Sequence, residues 1–264
     1  MGWNGLPLPF DRRTEPCLEQ LKSSFGNLDM KFAYLQEPPF CFTDASGLVV
    51  GCDVELAKRI CQMLGLGEFS PVEAKFAELL PGLVDNRWDM TTGLFISDER
   101  KRLVEFTRPI WSLPDGLMVA KNNPLGLEGY RSLARHPPAV LAVISDQVQH
   151  RTALQNGVPP NRVRIFATQA QAAEAVAKGM AQAYASVAMA HRGYVAQRPD
   201  ERLDVVEVPA SEKRPAAGAF ALANGNAALR ERIDRCLSDL LGSPWHRKMM
   251  SEYGFSDDDV DRLL

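Results

Sequence analysis

Short apolar runs alternate with amphipathic stretches along most of the chain. Met30–Leu35 is apolar at five of its six positions, a run of strand length. Residues 37–53 form a turn-rich excursion with a short hairpin expected at Asp44–Gly47. Residues 53–65, DVELAKRICQMLG, place apolar residues at helical spacing, with Asp53 suited to the N-cap and Gly65 to the stop. Residues 69–74 and 89–95 read as strands, and 76–86 and 97–106 as helices, the first despite Pro81. The plan then repeats. Strands are predicted at 139–144, 162–167 and 181–188, and helices at 146–157, 169–179 and around His191. A long helix is expected at 226–242, and the acidic residues 256–264 suit a surface helix.

Strand–helix alternation of this kind predicts a largely parallel sheet covered on both faces. The stretches 78–93 and 172–186 share an order of helix, turn, polar residue and apolar strand, which suggests two related α/β lobes. Extended runs at 115–124 and 204–223 read as connections between them, a hinge that closes over a ligand. The expected organisation is an N-terminal extension over 1–26, with a short helix at Glu15–Phe25. A first lobe spans 27–118 and 214–264, and a second lobe 119–213.

Composition narrows the function classes. The net charge of −3 provides no basic footprint for nucleic acid. No run of eighteen apolar residues occurs, so no membrane insertion is expected. Residues 1–16 lack the basic start and apolar core of a signal peptide. Five scattered cysteines do not read as a disulfide framework, and the four histidines fall at no metal-ligand spacing. Buried thiols and surface imidazoles are the expectation. No nucleotide-binding, P-loop, nucleophile-elbow or zinc-protease motif is present, so neither a cofactor, a metal nor a catalytic residue is assigned.

The informative stretch is GLFISDERKRLVEFTRP, residues 93–109. Ser97 can cap a helix whose first turn holds Asp98, Glu99 and Arg100. The two acids suit the positive end of the helix dipole; Arg100 does not. Either Arg100 is a solvated charge beside Lys101 and Arg102, or it joins free backbone N–H groups in a trap for a carboxylate. A similar anion niche is predicted at Asp146, Gln147, Val148 and Gln149, where strand turns into helix.

Two blocks of this chain resemble the family-3 extracellular solute-binding proteins, the amino-acid-binding components of ABC importers. In the first, Pro39, Phe40, Asp44, Gly47, Gly51, Asp53, Leu56 and Ala57 match a P-F pair, a D-x-x-G-x-x-x-G-x-D turn and a helix start. In the second, Leu79, Pro81, Leu83, Asp89, Gly93, Arg100 and Phe106 match. The resemblance implies a type II periplasmic-binding fold with a hinged cleft between two lobes. It implies that Arg100 grips a ligand carboxylate, that Phe76 packs on the ligand and that the Gly93 carbonyl receives an amino group. It places Val148 and Gln149 on the second-lobe side of the ligand. Glu37 stands where the family often has an aromatic; it either accepts a bond from a ligand cation or is solvated.

The departures bear on the ligand. Phe95 stands five residues before Arg100, where a Thr or Ser is usual. Within 181–188 no acid is present to pair with a ligand ammonium, and Ser186 is the nearest candidate. Glu37 or an aromatic surface would then hold the cation. Trp88, Trp111, Tyr34, Phe95 and Tyr184 are the candidates, each equally suited to a core. The expectation is a binding protein, not an enzyme: a monomer serving an ABC permease, periplasmic or, as the scattered cysteines would suit, cytoplasmic, with an amino acid or an amino-acid-like or betaine-like ligand. The alternatives are an enzyme on the same fold, similar to the cyclohexadienyl or arogenate dehydratases, and a ligand-sensing module.

Overall fold

Alternation of strand and helix holds through most of the chain. The structure, a computed structural model, describes residues 28–264, so the helix expected at Glu15–Phe25 and Cys17 lie outside the described residues. In chain order the first elements are β1 (Met30–Tyr34), β2 (Phe42–Thr43), β3 (Val49–Val50), α1 (Cys52–Leu64), β4 (Phe69–Glu73), α2 (Phe76–Val84) and β5 (Met90–Phe95). A 3-10 turn at Arg100–Arg102 leads to β6 (Val104–Phe106), β7 (Trp111–Leu113) and β8 (Asp115–Ala120). Next come α3 (Tyr130–Ala134), β9 (Leu141–Ile144), α4 (Val148–Gln155), β10 (Val163–Phe166), α5 (Gln169–Ala177), β11 (Ala183–Val187), α6 (Ala188–Gln197) and β12 (Leu203–Glu207). The chain closes with β13 (Ala216–Ala223), α7 (Ala227–Leu240), α8 (Pro244–Glu252) and α9 (Asp257–Asp261).

Two sheets organise these elements. The first runs β4-β1-β5-β13-β6, with β7 also paired to β13; the second runs β10-β9-β11-β8-β12. Each has a parallel part, β4-β1-β5 and β10-β9-β11, as the alternation predicts. Each also contains antiparallel strands where the chain passes between lobes. Strand β13 pairs antiparallel with β5, β6 and β7, and β8 with β11 and β12. Since β8 pairs from Asp115 onward with the second sheet, the crossing precedes Asp115 rather than falling at the expected residue 118. Apolar clusters cover both faces of each sheet.

Three local expectations are corrected. The helix predicted over 97–106 is one 3-10 turn followed by β6. Val104, Glu105 and Phe106 pair with Ala223, Leu222 and Ala221 of β13, and this long-range pairing overrides the local preference. Asp53 is not the N-cap of α1; Gly51 is, at φ 131°. A Cβ at Gly51 would lie 2.1 Å from the Phe40 carbonyl oxygen, so only glycine fits there, and Asp53 turns inward instead. The imidazoles are not all at the surface: His191 and His246 are fully buried. Burial pushes them down to about 3 and about 4, which keeps both neutral. Cys41, Cys52, Cys61 and Cys236 are buried free thiols, as expected.

Candidate functional site

The loop after β1 brings a carboxylate to the cleft. Glu37 and Cys41 exchange backbone hydrogen bonds, Glu37 N to Cys41 O at 2.8 Å and Cys41 N to Glu37 O at 3.2 Å, which ties the loop back on itself. The Glu37 side chain is partly buried and accepts no hydrogen bond from the described residues. Burial, with a smaller push from the nearby Asp53 carboxylate, raises it to about 7. Beneath it, Asp53 accepts hydrogen bonds from Thr92 Oγ1 on β5, Trp111 Nε1 at 3.4 Å and Cys52 Sγ at 3.5 Å. Burial outweighs these bonds and raises Asp53 to about 6. The Trp111 ring lies against Phe95, 5.3 Å between centroids at 82°, and against Phe40 at 5.8 Å.

Arg100 is buried, 8% exposed, so the solvated alternative fails. No helix N-terminus surrounds it. Its backbone N–H donates to Ser97 Oγ at 3.2 Å, and its guanidinium donates to two carbonyls. One is Phe95 O in its own lobe at 3.0 Å; the other is Asp146 O in the second lobe at 3.3 Å. The guanidinium also sits over the Phe76 ring, 5.5 Å from its centroid. It makes no ion pair among the described residues. Burial pulls its pKa below the ordinary value, and the like charge of Arg151 adds to this.

The second-lobe wall is neutral. Asp146 takes the left-handed conformation at φ 63°, which turns its carbonyl toward Arg100. Gln147 occupies the N-cap of α4, and Val148 and Gln149 form its first turn. The Gln149 amide is held away from solvent, donating to Asp115 Oδ1 at 3.0 Å, while Tyr130 Oη donates to Asp115 Oδ2 at 2.7 Å. Ser186 on β11 completes this wall.

Nine of the ten predicted residues line one pocket between the lobes: Glu37, Phe76, Gly93, Phe95, Arg100, Gln147, Val148, Gln149 and Ser186. Tyr34 does not; it is buried in the first-lobe core, its Oη 3.3 Å from Thr43 Oγ1. Phe40, Trp111 and Val187 join the lining. Phe40 belongs to the P-F pair read in the sequence. Trp111 gains its place from a pairing across the sheet: a Cβ on Gly218 would lie 1.9 Å from its ring. Trp88 and Tyr184 pack into the cores.

The lobes are closed on this pocket. Its free volume is about 20 Å3, room for roughly one water molecule. Beyond Glu37, Phe76 and Gln147 lies a cavity of about 330 Å3 that also meets Glu73, Lys75, Glu78 and Thr168. Contacts across the closure include Arg151 with Glu99 at 3.3 Å and Gly193, where a Cβ would meet Pro38 O at 2.4 Å. One guanidinium and one carboxylate on an aromatic floor complement a small zwitterion. No cluster of potential metal ligands occurs among the described residues, and no described helix is long and apolar enough to cross a membrane.

Comparison with known proteins identifies the family and the fold. The family described as bacterial extracellular solute-binding proteins, family 3, matches residues 30–256. A Sinorhizobium fredii protein, named a probable amino-acid ABC transporter periplasmic-binding protein, is 29% identical over 254 residues, covering 92% of this chain and 81% of the relative. The arginine-binding protein ArgT of Corynebacterium glutamicum is 24% identical over 231 residues, covering 86% and 74%. The crystal structure of EhuB in complex with hydroxyectoine superposes with a TM-score of 0.79 at 27% identity, covering 94% and 95%.

Proposed function

The chain belongs to family 3 of the bacterial extracellular solute-binding proteins, and we propose that it is the substrate-binding component of an ABC importer. Its ligand is a small zwitterion with a carboxylate, an amino acid or an amino-acid-like or betaine-like compound. One observation carries this reading: Arg100 is a buried guanidinium whose side-chain hydrogen bonds among the described residues go to two carbonyls. A carboxylate offers stronger, charge-assisted bonds than the Asp146 carbonyl and would displace it. Glu37, which accepts no hydrogen bond from the described residues, receives the cation. The second lobe, through residues 146–149 and Ser186, seals the pocket as the hinge closes. The relatives named for amino acids, arginine and hydroxyectoine support the class, since all of these are small carboxylates bearing a cationic nitrogen.

The protein acts as a periplasmic monomer that hands its ligand to a permease. We read it as a binder rather than an enzyme because the relatives are named as binding proteins. A thermal-shift screen over amino acids, polyamines, hydroxyectoine, betaines and plain carboxylates tests this. A true ligand at a hundred times its Kd stabilises by about 2.7 kcal/mol, an upward shift of several degrees. Sustained product formation from arogenate or prephenate would replace the transport reading with the enzymatic one.

A further inference from the structure

Helix α6 belongs to the second lobe, between β11 and β12, yet its first turn is packed into the core of the first lobe. Met189 and Ala190 are buried in the cluster that holds Phe40, Cys41 and Trp111. Gly193 follows Met189 by four residues and Ala190 by three, so the three share one face of the helix. At Gly193 the two lobes meet backbone to backbone. A Cβ there would lie 2.4 Å from Pro38 O, 2.5 Å from Pro38 C and 2.6 Å from Pro39 Cδ. Non-bonded heavy atoms settle about 3.5 Å apart, so a single methyl group is about 1 Å too large for the closed arrangement.

Both partners in this contact are pinned within their own lobes. The loop after β1 is tied to the start of α1: Cys52 N donates to Pro39 O at 3.0 Å and Asp53 N to Phe40 O at 3.1 Å. Within the loop, Phe40 N donates to Glu37 O at 3.0 Å. On the other side, Ala188 N donates to Pro114 O at 3.1 Å, and a Cβ on Gly116 would lie 2.7 Å from Ala188 Cα. The buried His191 places Nε2 3.2 Å from Gly116 O. A helix seated on β8 thus meets a loop seated on α1. Glu37 and Phe40, which line the pocket, stand on that loop; Gly193 does not line the pocket.

We infer that Gly193 is a positioning residue for ligand binding: its missing side chain lets the loop bearing Glu37 and Phe40 reach the second lobe, and a Cβ there stops closure short. This rests on the reading of the cleft as one that shuts on a ligand, and adds a determinant of affinity outside the pocket. The fold itself does not ask for glycine here. Gly193 sits inside α6, where alanine is the better helix former. Affinity and stability therefore part company in Gly193→Ala.

Spin labels at Glu99→Cys and Arg151→Cys, two exposed positions that face each other across the closure, read the lobe separation by double electron–electron resonance. Cys17→Ser removes the cysteine outside the described residues; the other four are buried. The whole chain is measured alone and with L-arginine or hydroxyectoine, and calorimetry on the unlabelled chain gives Kd. The parent is expected to show a short distance. Gly193→Ala is expected to lose it, to bind a probe at least about tenfold more weakly, and to melt at or above the parent's temperature. Arg192→Ala, on the exposed side of α6, leaves distance and Kd unchanged. A short distance kept in Gly193→Ala, or an unchanged Kd, overturns the inference, and so does a parent that never shows that distance. A melting temperature several degrees below the parent's makes Gly193 a requirement of the fold and also overturns it. A parent that closes but binds neither probe counts against the ligand class alone; the distances still decide the role of Gly193.

Discussion

The two walls of the cleft are built on different principles. The first-lobe wall holds the charges, Arg100 and Glu37, with Asp53 beneath them, packed among Phe40, Phe76, Phe95 and Trp111. The second-lobe wall holds no charged side chain in the pocket lining; it offers Gln147, Val148, Gln149, Ser186 and Val187. A charge in a closing lobe would have to be stripped of water each time the cleft shuts. Placing both charges on one wall, already half-desolvated by their own lobe, lowers that recurring cost. The neutral wall can then select by hydrogen-bond complementarity.

Removing Arg100 should give the largest effect. Truncating one partner of a buried charge pair costs about 2–5 kcal/mol. Arg100→Ala is therefore expected to weaken binding by roughly a hundredfold or more at this wall. Calorimetry checks it, and an unchanged Kd would remove the carboxylate clamp from this account. The variant should fold, because no described acid loses an ion-pair partner when Arg100 is removed; two carbonyls, of Phe95 and Asp146, lose a donor.

Glu37 should give an intermediate effect with a pH signature. Its folded pKa of about 7 lies above its ordinary 4.5, and Asp53 at about 6 lies above 3.8. Through these windows the folded chain holds protons that the unfolded chain has released, so ligand-free stability falls as pH rises. For Glu37 the loss is on the order of 2–3 kcal/mol between its two pKa values. A ligand cation favours the carboxylate, so below about pH 7 binding releases a proton and affinity rises with pH. Glu37→Gln should flatten both trends, leaving the smaller Asp53 contribution to stability. Melting curves and titrations across pH 5–8 read the two slopes. Slopes equal to those of the parent would place the proton elsewhere.

The smallest effect is expected at the rim. Glu99 and Arg151 pair across the closure at 3.3 Å, but both side chains are well exposed. Exposed pairs contribute about 0–1 kcal/mol, so Glu99→Gln should change Kd less than about fivefold, with the difference vanishing at high salt. A large effect would show that the rim, and not the charged wall, controls closure.

Much of the site was legible in the sequence, for a specific reason. The candidate residues were read chiefly from the resemblance of two contiguous blocks to the family-3 solute-binding proteins, and nine of the ten line one pocket. Tyr34 failed because a strand places successive side chains on opposite faces, and its ring joins the core rather than the cleft. The inward turn of Asp53 was missed because an aspartate at a helix start ordinarily caps it. Only the approach of Phe40 O to Gly51 shows that the cap is taken.

The sequence alone determined the alternation of strands and helices, the two-lobed α/β class and the presence of an arginine with an unusual setting. These are properties of short windows, in which side-chain period and turn chemistry report directly on backbone state. Tertiary structure decided what that arginine is. Residues 104–106 prefer a helix locally but become a strand on β13, leaving Arg100 on a tight turn, buried, facing carbonyls from two lobes. It also decided that Gln149 is tied to Asp115 while the Gln147 side-chain oxygen has no hydrogen-bond partner among the described residues. Burial and hydrogen-bond partners depend on which distant segments meet, and no local window carries that information.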